Sequence, residues 1–200
     1  MSQFNTMSLK KNYLVFLVCF ISFQGYSQST KPPKEKKHRF SFYTSVGPSY
    51  FFNNLVSSKN QVNPWGYSFY GRIMWEPPFN LSLGVETGYL RLYTVNYDQP
   101  VSAHVSNSLI PIQLVVSMKF LKNFYGSFAM GQSVLLNKAE AQGYGNFDSN
   151  QFSLGDFSAA LGYKHKYQNR VSIGGEAKFY LSSGYNNATI AILAVVGYNF

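Results

Sequence analysis

His104 lies close to Asp98, Ser102 and Ser106, which puts a base and two hydroxyl nucleophiles within a few residues of one another. Acyl transfer is the chemistry such a set performs. The stretch around it is polar and rich in turn formers, and a flexible loop does not hold nucleophile and base in the fixed orientation that catalysis needs. No catalytic residue is therefore assigned. His38 and His165 have no comparable company, and Cys19 is the one cysteine. No His, Cys or carboxylate grouping has ligand spacing, so neither a metal nor another cofactor is expected. Gly143-Tyr144-Gly145 lacks the third glycine, the lysine and the following helix of a phosphate loop.

A second set of chemically capable residues is larger and more regular. Arg72, Glu86, Lys119, Asp156, Lys164, Arg170, Glu176 and Lys178 each fall in the small-residue phase of a segment that alternates with period two. Period two puts successive side chains on opposite faces of a strand, so these ions share one face while aromatic and branched residues take the other. The signs are mixed, which suits mutual pairing in a polar interior rather than attraction of one ligand charge.

The elements that must position them are strands. Phe40, Phe42, Thr44, Val46, Tyr50 and Phe52 alternate with Ser41, Tyr43, Ser45, Gly47 and Ser49. Trp65, Tyr67, Phe69, Gly71, Ile73 and Trp75 alternate with Gly66, Ser68, Tyr70, Arg72, Met74 and Glu76. The pattern recurs over 81–89, 110–120, 156–164, 170–181 and 190–200, and more weakly over 124–136, where Gly126, Phe128 and Met130 are the expected outer phase. Pro111 predicts a bulge or a local weakness in pairing. Only 12% of residues are charged, while 18% are aromatic, so the strands face something apolar. The fold class expected is all-β: a membrane-spanning antiparallel up-and-down barrel of about eight strands.

Ahead of the strands, Lys10 and Lys11 precede an apolar run over 13–23, followed by Gly25-Tyr26-Ser27. The run is too short for a membrane helix, which takes roughly 20 residues, and is read as a cleaved signal peptide over 1–27. Export through such a signal leaves no cysteine. The mature chain carries 15 basic and 8 acidic residues, a net charge of +7, of which +4 sits in a Pro-broken leader, 28–39, and about +3 in the body, 40–200. So small a body charge, behind an export signal, opposes nucleic-acid binding. The leader either touches anionic headgroups or is a solvated spacer.

Connections alternate in length, with long polar ones over 52–65, 93–109 and 137–152 and tight turns such as Pro77-Pro78-Phe79-Asn80 and Leu121-Lys122-Asn123. Long loops outside and short turns inside are the habit of outer-membrane barrels. In the long loops Tyr97, Tyr144 and Phe147 either pack the loops themselves, the reading preferred, or contact a partner or surface polymer. Trp65 and Trp75 share the outward face, and ten residues at about 3.3 Å each, tilted about 40°, span about 25 Å of bilayer normal. With Tyr89 and Tyr198 they form the expected aromatic girdles. Arg91 breaks the apolar phase near the outer end, where it can snorkel or meet a lipid phosphate.

The closing Ala194-Val195-Val196-Gly197-Tyr198-Asn199-Phe200, with the hairpins and the signal, resembles the small outer-membrane barrel families of the OmpA-transmembrane type. Leu81-Ser82-Leu83-Gly84-Val85-Glu86-Thr87-Gly88-Tyr89 resembles the PorT-like "outer membrane protein beta-barrel" family. The resemblance implies that Tyr198 and Phe200 are an assembly signal read by the barrel-assembly machinery. It also implies a location in the outer membrane of a Gram-negative envelope, among lipid and lipopolysaccharide, with an extracellular or periplasmic protein as a further partner. Some barrels of this kind modify lipid A, which leaves a loop Ser/His enzyme as the alternative to a plugged structural or surface-interaction barrel. A narrow transport channel is the other alternative.

Overall fold

Alternation of this kind leaves one face of every strand greasy, and closing the sheet on itself is how such strands avoid an open edge. The computed structural model describes residues 38–52, 62–97, 103–141, 145–167, 170–182 and 187–200, all within one compact unit, Lys36–Phe200. The expected signal peptide and the leader up to residue 37 lie outside the described residues. Nine strands follow in order: β1 (Arg39–Phe52), β2 (Val62–Asn63), β3 (Trp65–Glu76), β4 (Leu81–Tyr97), β5 (Ala103–Lys119), β6 (Phe124–Ala141), β7 (Gly145–Tyr167), β8 (Val171–Ser182) and β9 (Asn187–Asn199). β2 is a two-residue extension that pairs with β4. The wall consists of the other eight, each antiparallel to its neighbours and closed by the β1–β9 pairing. This is the expected fold class.

The register fixes the width of the barrel. Paired residues lead from Phe42 through Ile73, Val85, Leu114, Met130, Phe157, Leu181 and Ala188 back into β1 at Phe52, ten residues further on. A stagger of ten over eight strands, with a rise of about 3.3 Å and a spacing of about 4.8 Å, tilts the strands by about 40° and gives a radius of about 8 Å. Side chains alone fill a bore of that size.

Faces sort as the alternation requires. Phe42, Phe69, Ile73, Val85, Ile112, Leu114, Phe128, Leu161, Ile192 and Val196 point outward and are exposed, while Ser41, Ser45, Tyr70, Gln113, Tyr125 and Ser158 point inward and are buried. β6 adopts the expected phase, with Phe128 and Met130 outside. At Pro111 the pairing with β4 lapses, since it skips from Thr87 opposite Ile112 to Leu90 opposite Leu109. Proline has no N–H to give to the ladder.

Two expectations fail. Residues 93–97 with 103–109, and 137–141 with 145–152, are strand rather than loop, so β4–β5 and β6–β7 continue as hairpins well past the level of Trp65. In the β6–β7 extension Phe147 and Asp148 are exposed on opposite faces, and in the β4–β5 extension the successive residues Thr94 and Val95 are both buried, so neither shows the alternation that marks a strand in the sequence. β7 also carries an unforeseen bulge: Gly131 pairs with Asp156 and Gln132 with Leu154, leaving Gly155 extra at φ 82°. Only glycine adopts that backbone freely. The extra residue shifts the phase, so that Ser153 and Asp156 both face the bore.

Gly162 and Gly197 face inward where a Cβ would collide with the rings of Tyr125 and Tyr43 respectively. Overpacking of this kind costs about 1–3 kcal/mol. Gly162→Val is expected to lower the urea midpoint of the detergent-folded protein by that margin, and an unchanged midpoint would contradict the packing described.

Candidate functional site

The middle of the bore holds four charges that sum to zero. Arg72 on β3, Glu86 on β4 and Glu176 and Lys178 on β8 are all buried. The Arg72 Nε donates to Glu86 Oε2 at 2.7 Å, while Nη1 and Nη2 donate to the two oxygens of Glu176 at 3.3 and 3.2 Å. The second oxygen of Glu86 accepts from Lys178 Nζ, which also lies 3.9 Å from the centre of the Tyr70 ring. Tyr125 donates to Glu176 at 2.6 Å. Each carboxylate thus has both oxygens satisfied, the condition under which buried ions are tolerable.

Toward the long hairpins lies a neutral-to-anionic tier. Asp156 accepts from Ser153 Oγ and Tyr180 OH, each at 2.7 Å, and from Ser133 Oγ. Gln113 accepts from Ser158 at 2.9 Å. Above this, Phe51, Leu90, Leu92, Leu109, Leu135 and Tyr180 pack into an apolar layer. Water has little reason to thread such a layer.

At the short-turn end, Glu76 accepts from Tyr43 OH at 2.5 Å and from Lys119 Nζ at 2.8 Å. Lys119, expected in the bore, is exposed at the rim because its strand ends there. Arg170 is corrected too: it occupies the turn before β8, is exposed, and reaches Tyr198 OH at 3.4 Å. Lys164 is half-buried inside the mouth, its Nζ 3.9 and 4.0 Å from the centres of the Tyr43 and Tyr125 rings. Of the eight ions expected inside, the structure joins Arg72, Glu86, Glu176 and Lys178 and sets Asp156 in a tier of its own.

The tyrosines that serve these ions were in the inner phase of the sequence, but alternation alone assigns them no partner. Arg72 and Glu176 are 104 residues apart and meet only because the barrel closes.

On the outer surface Trp65 is 61% exposed. Trp75 shares its face and stacks on His38 with centroids 5.6 Å apart. Tyr198 packs edge-on against Phe200 at the short-turn rim. Tyr89 sits lower than a girdle position, paired with Phe69 and stacked on Tyr67, and its hydroxyl meets Ser108 Oγ at 2.7 Å. The Arg91 guanidinium lies 5.9 Å from the Tyr67 ring centre. His104 is exposed on β5 and its Nδ1 meets Asn96 Oδ1 at 2.6 Å. Ser106 is opposite Thr94 and Lys138, and Asp98 and Ser102 lie outside the described residues, as does Tyr144. Phe147 is exposed on β7.

Removing one member of the central cluster strands its partners. Glu86→Gln leaves Lys178 and part of Arg72 uncompensated and is expected to cost about 3–5 kcal/mol of unfolding free energy. Glu76→Gln in the mouth, where its partner Lys119 is exposed to solvent, is expected to cost less, about 1–2 kcal/mol. Urea unfolding of the folded protein in detergent compares them, and equal losses would contradict the placement.

No family model matches the chain, and no curated protein matches it. Solved structures do. The chain is similar to Ail, the attachment invasion locus protein of Yersinia pestis, in complex with the heparin analogue sucrose octasulfate, at 11% identity and a TM-score of 0.53, covering 82% of this chain and 100% of that one. It is similar to a major outer membrane protein from Thermus thermophilus at 11% identity and a TM-score of 0.50, with the same coverage. At such identity the likeness is one of fold: an eight-stranded barrel of the kind found in outer membranes.

Proposed function

We propose that the chain is an integral outer-membrane barrel that acts as a rigid, plugged platform for the hairpins it displays, rather than as a conduit or an enzyme. The observation that carries this reading is the central four-ion cluster, which ties β3 and β4 to β8 across the bore, with an apolar layer above it. An ion crossing the barrel would have to displace both. The belt of exposed side chains, from Phe40 and Phe124 at one end to Phe52 and Trp65 at the other, supports a lipid surround, since a water-soluble protein rarely exposes so continuous an apolar surface.

In this reading the short turns face the periplasm and the β4–β5 and β6–β7 hairpins face outward. Beyond the bilayer the β6–β7 hairpin offers Lys138, Glu140, Phe147 and Asp148 as a mixed surface for a protein or polymer partner. Among the described residues nothing around His104 favours the Ser/His alternative: its Nδ1 is engaged with Asn96, and its strand neighbours across the ladder are Asn96 and Glu140. Tyr198 and Phe200 remain the proposed assembly signal, and lipid, including lipopolysaccharide, the proposed surround.

The test joins location to conductance. Protein recovered from density-separated membranes is expected in the outer-membrane fraction and, once placed in a planar bilayer, to give no stepwise current. Regular unitary steps that vanish on boiling the sample would overturn the plugged reading.

A further inference from the structure

The mouth at the short-turn end contains a cavity of about 110 Å³, room for several water-sized groups but not for a nucleotide or an acyl chain. Four lysines line it, Lys119, Lys122, Lys164 and Lys166, against one carboxylate, Glu76. Glu76 is already engaged by Lys119 and Tyr43. Among the described residues no carboxylate lies within ion-pair distance of Lys164, although its ammonium is drawn inside the mouth between two tyrosine rings. Ring faces attract a cation without neutralising it. On the cavity wall, Ser172 Oγ is buried and has no hydrogen-bond partner. A half-buried cation without a counter-ion and, beside it on the cavity wall, a buried hydroxyl without an acceptor are both costly unless something accepts from them.

We propose that this mouth is an oxyanion site that takes a single phosphate group, held by the Lys164 ammonium and the Ser172 hydroxyl and enclosed by Lys122 and Lys166 at the rim. Phosphate matches the inventory: its charge answers the excess of three cations over the lone carboxylate, its oxygens accept from ammonium and hydroxyl, and its size suits the cavity. The central cluster of the bore offers no such site, because its charges sum to zero and are mutually bonded. The phosphate is either a free or small soluble one or that of a lipid headgroup at the membrane rim.

Calorimetric titration of protein folded in a zwitterionic detergent, with inorganic phosphate against sodium chloride at matched ionic strength, reads the site directly. Saturable one-site binding is expected, weakened about tenfold or more by Lys164→Gln, where one charge-assisted bond is lost. The double variant Lys122→Gln/Lys166→Gln changes only exposed side chains, so it carries the test even where Lys164→Gln does not fold, and it too is expected to weaken binding. Lys138→Gln, at the far end of the barrel, is expected to bind like the parent. Phosphatidylglycerol doped into the micelle distinguishes the two sources: competition with phosphate places a headgroup in the mouth, and its lack assigns the site to soluble phosphate. No saturable heat above the chloride control, or parent-like binding by the mouth variants, would overturn the proposal.

Discussion

Two cations and two anions buried together in a bore about 8 Å in radius are the constraint on which the rest of this barrel depends. Arg72, Glu86, Glu176 and Lys178 come from three strands, the last of them far from the others in sequence. Bringing them together requires a closed sheet with one register. A slip of one residue in any strand would turn its ions toward the outer face and its aromatic residues inward. Burial of the ions therefore penalises every misregistered alternative far more than an apolar filling would, since a misplaced leucine still finds a partner and a misplaced arginine does not. The greasy exterior supplies the complementary half of the same constraint.

The filling of the bore follows from its width. With a stagger of ten on eight strands, the interior has room for roughly one large side chain from each level of the wall. Tyr125 and Tyr43 lie against Gly162 and Gly197, their ladder partners on the adjacent strand, where a Cβ would strike the rings. Tyrosine suits this interior twice over: its ring fills volume and its hydroxyl reaches the carboxylates of Glu76, Glu176 and Asp156. The two ends differ in character. The mouth at the short turns is cationic and holds a cavity, while the end toward the long hairpins closes over Leu90, Leu109 and Phe51.

Strand existence and face were legible in the sequence because an apolar outer face and a polar bore imprint a period of two on most of the wall. The imprint fades where the belt of exposed apolar side chains ends. The outer halves of β4–β5 and β6–β7 therefore looked like loops, since β6–β7 is exposed on both faces there and β4 buries the successive residues Thr94 and Val95. It is also blind to height: Lys119 and Arg170 had the parity of bore residues but stand at the rim. The Gly155 bulge was hidden for a related reason, because a phase shift of one is visible only against the partner strand. Weak alternation in β6 has a physical source in its inner phase, where Ser127, Ala129, Gly131 and Ser133 are small so that long side chains from across the barrel fit against them. Who pairs with whom inside the bore is set by closure, which no local pattern records.

The central claim, that lipid solvates the outside of this sheet while its ions are enclosed within, has a direct optical readout in the chain's two tryptophans. Protein folded into vesicles of lipids brominated at defined depths is the measurement. The account predicts that Trp65 and Trp75, examined singly by replacing the other with Phe, are both quenched, and more strongly by bromine near the headgroups than by bromine near the bilayer centre. Fluorescence that is insensitive to brominated lipid but quenched by aqueous iodide would contradict it.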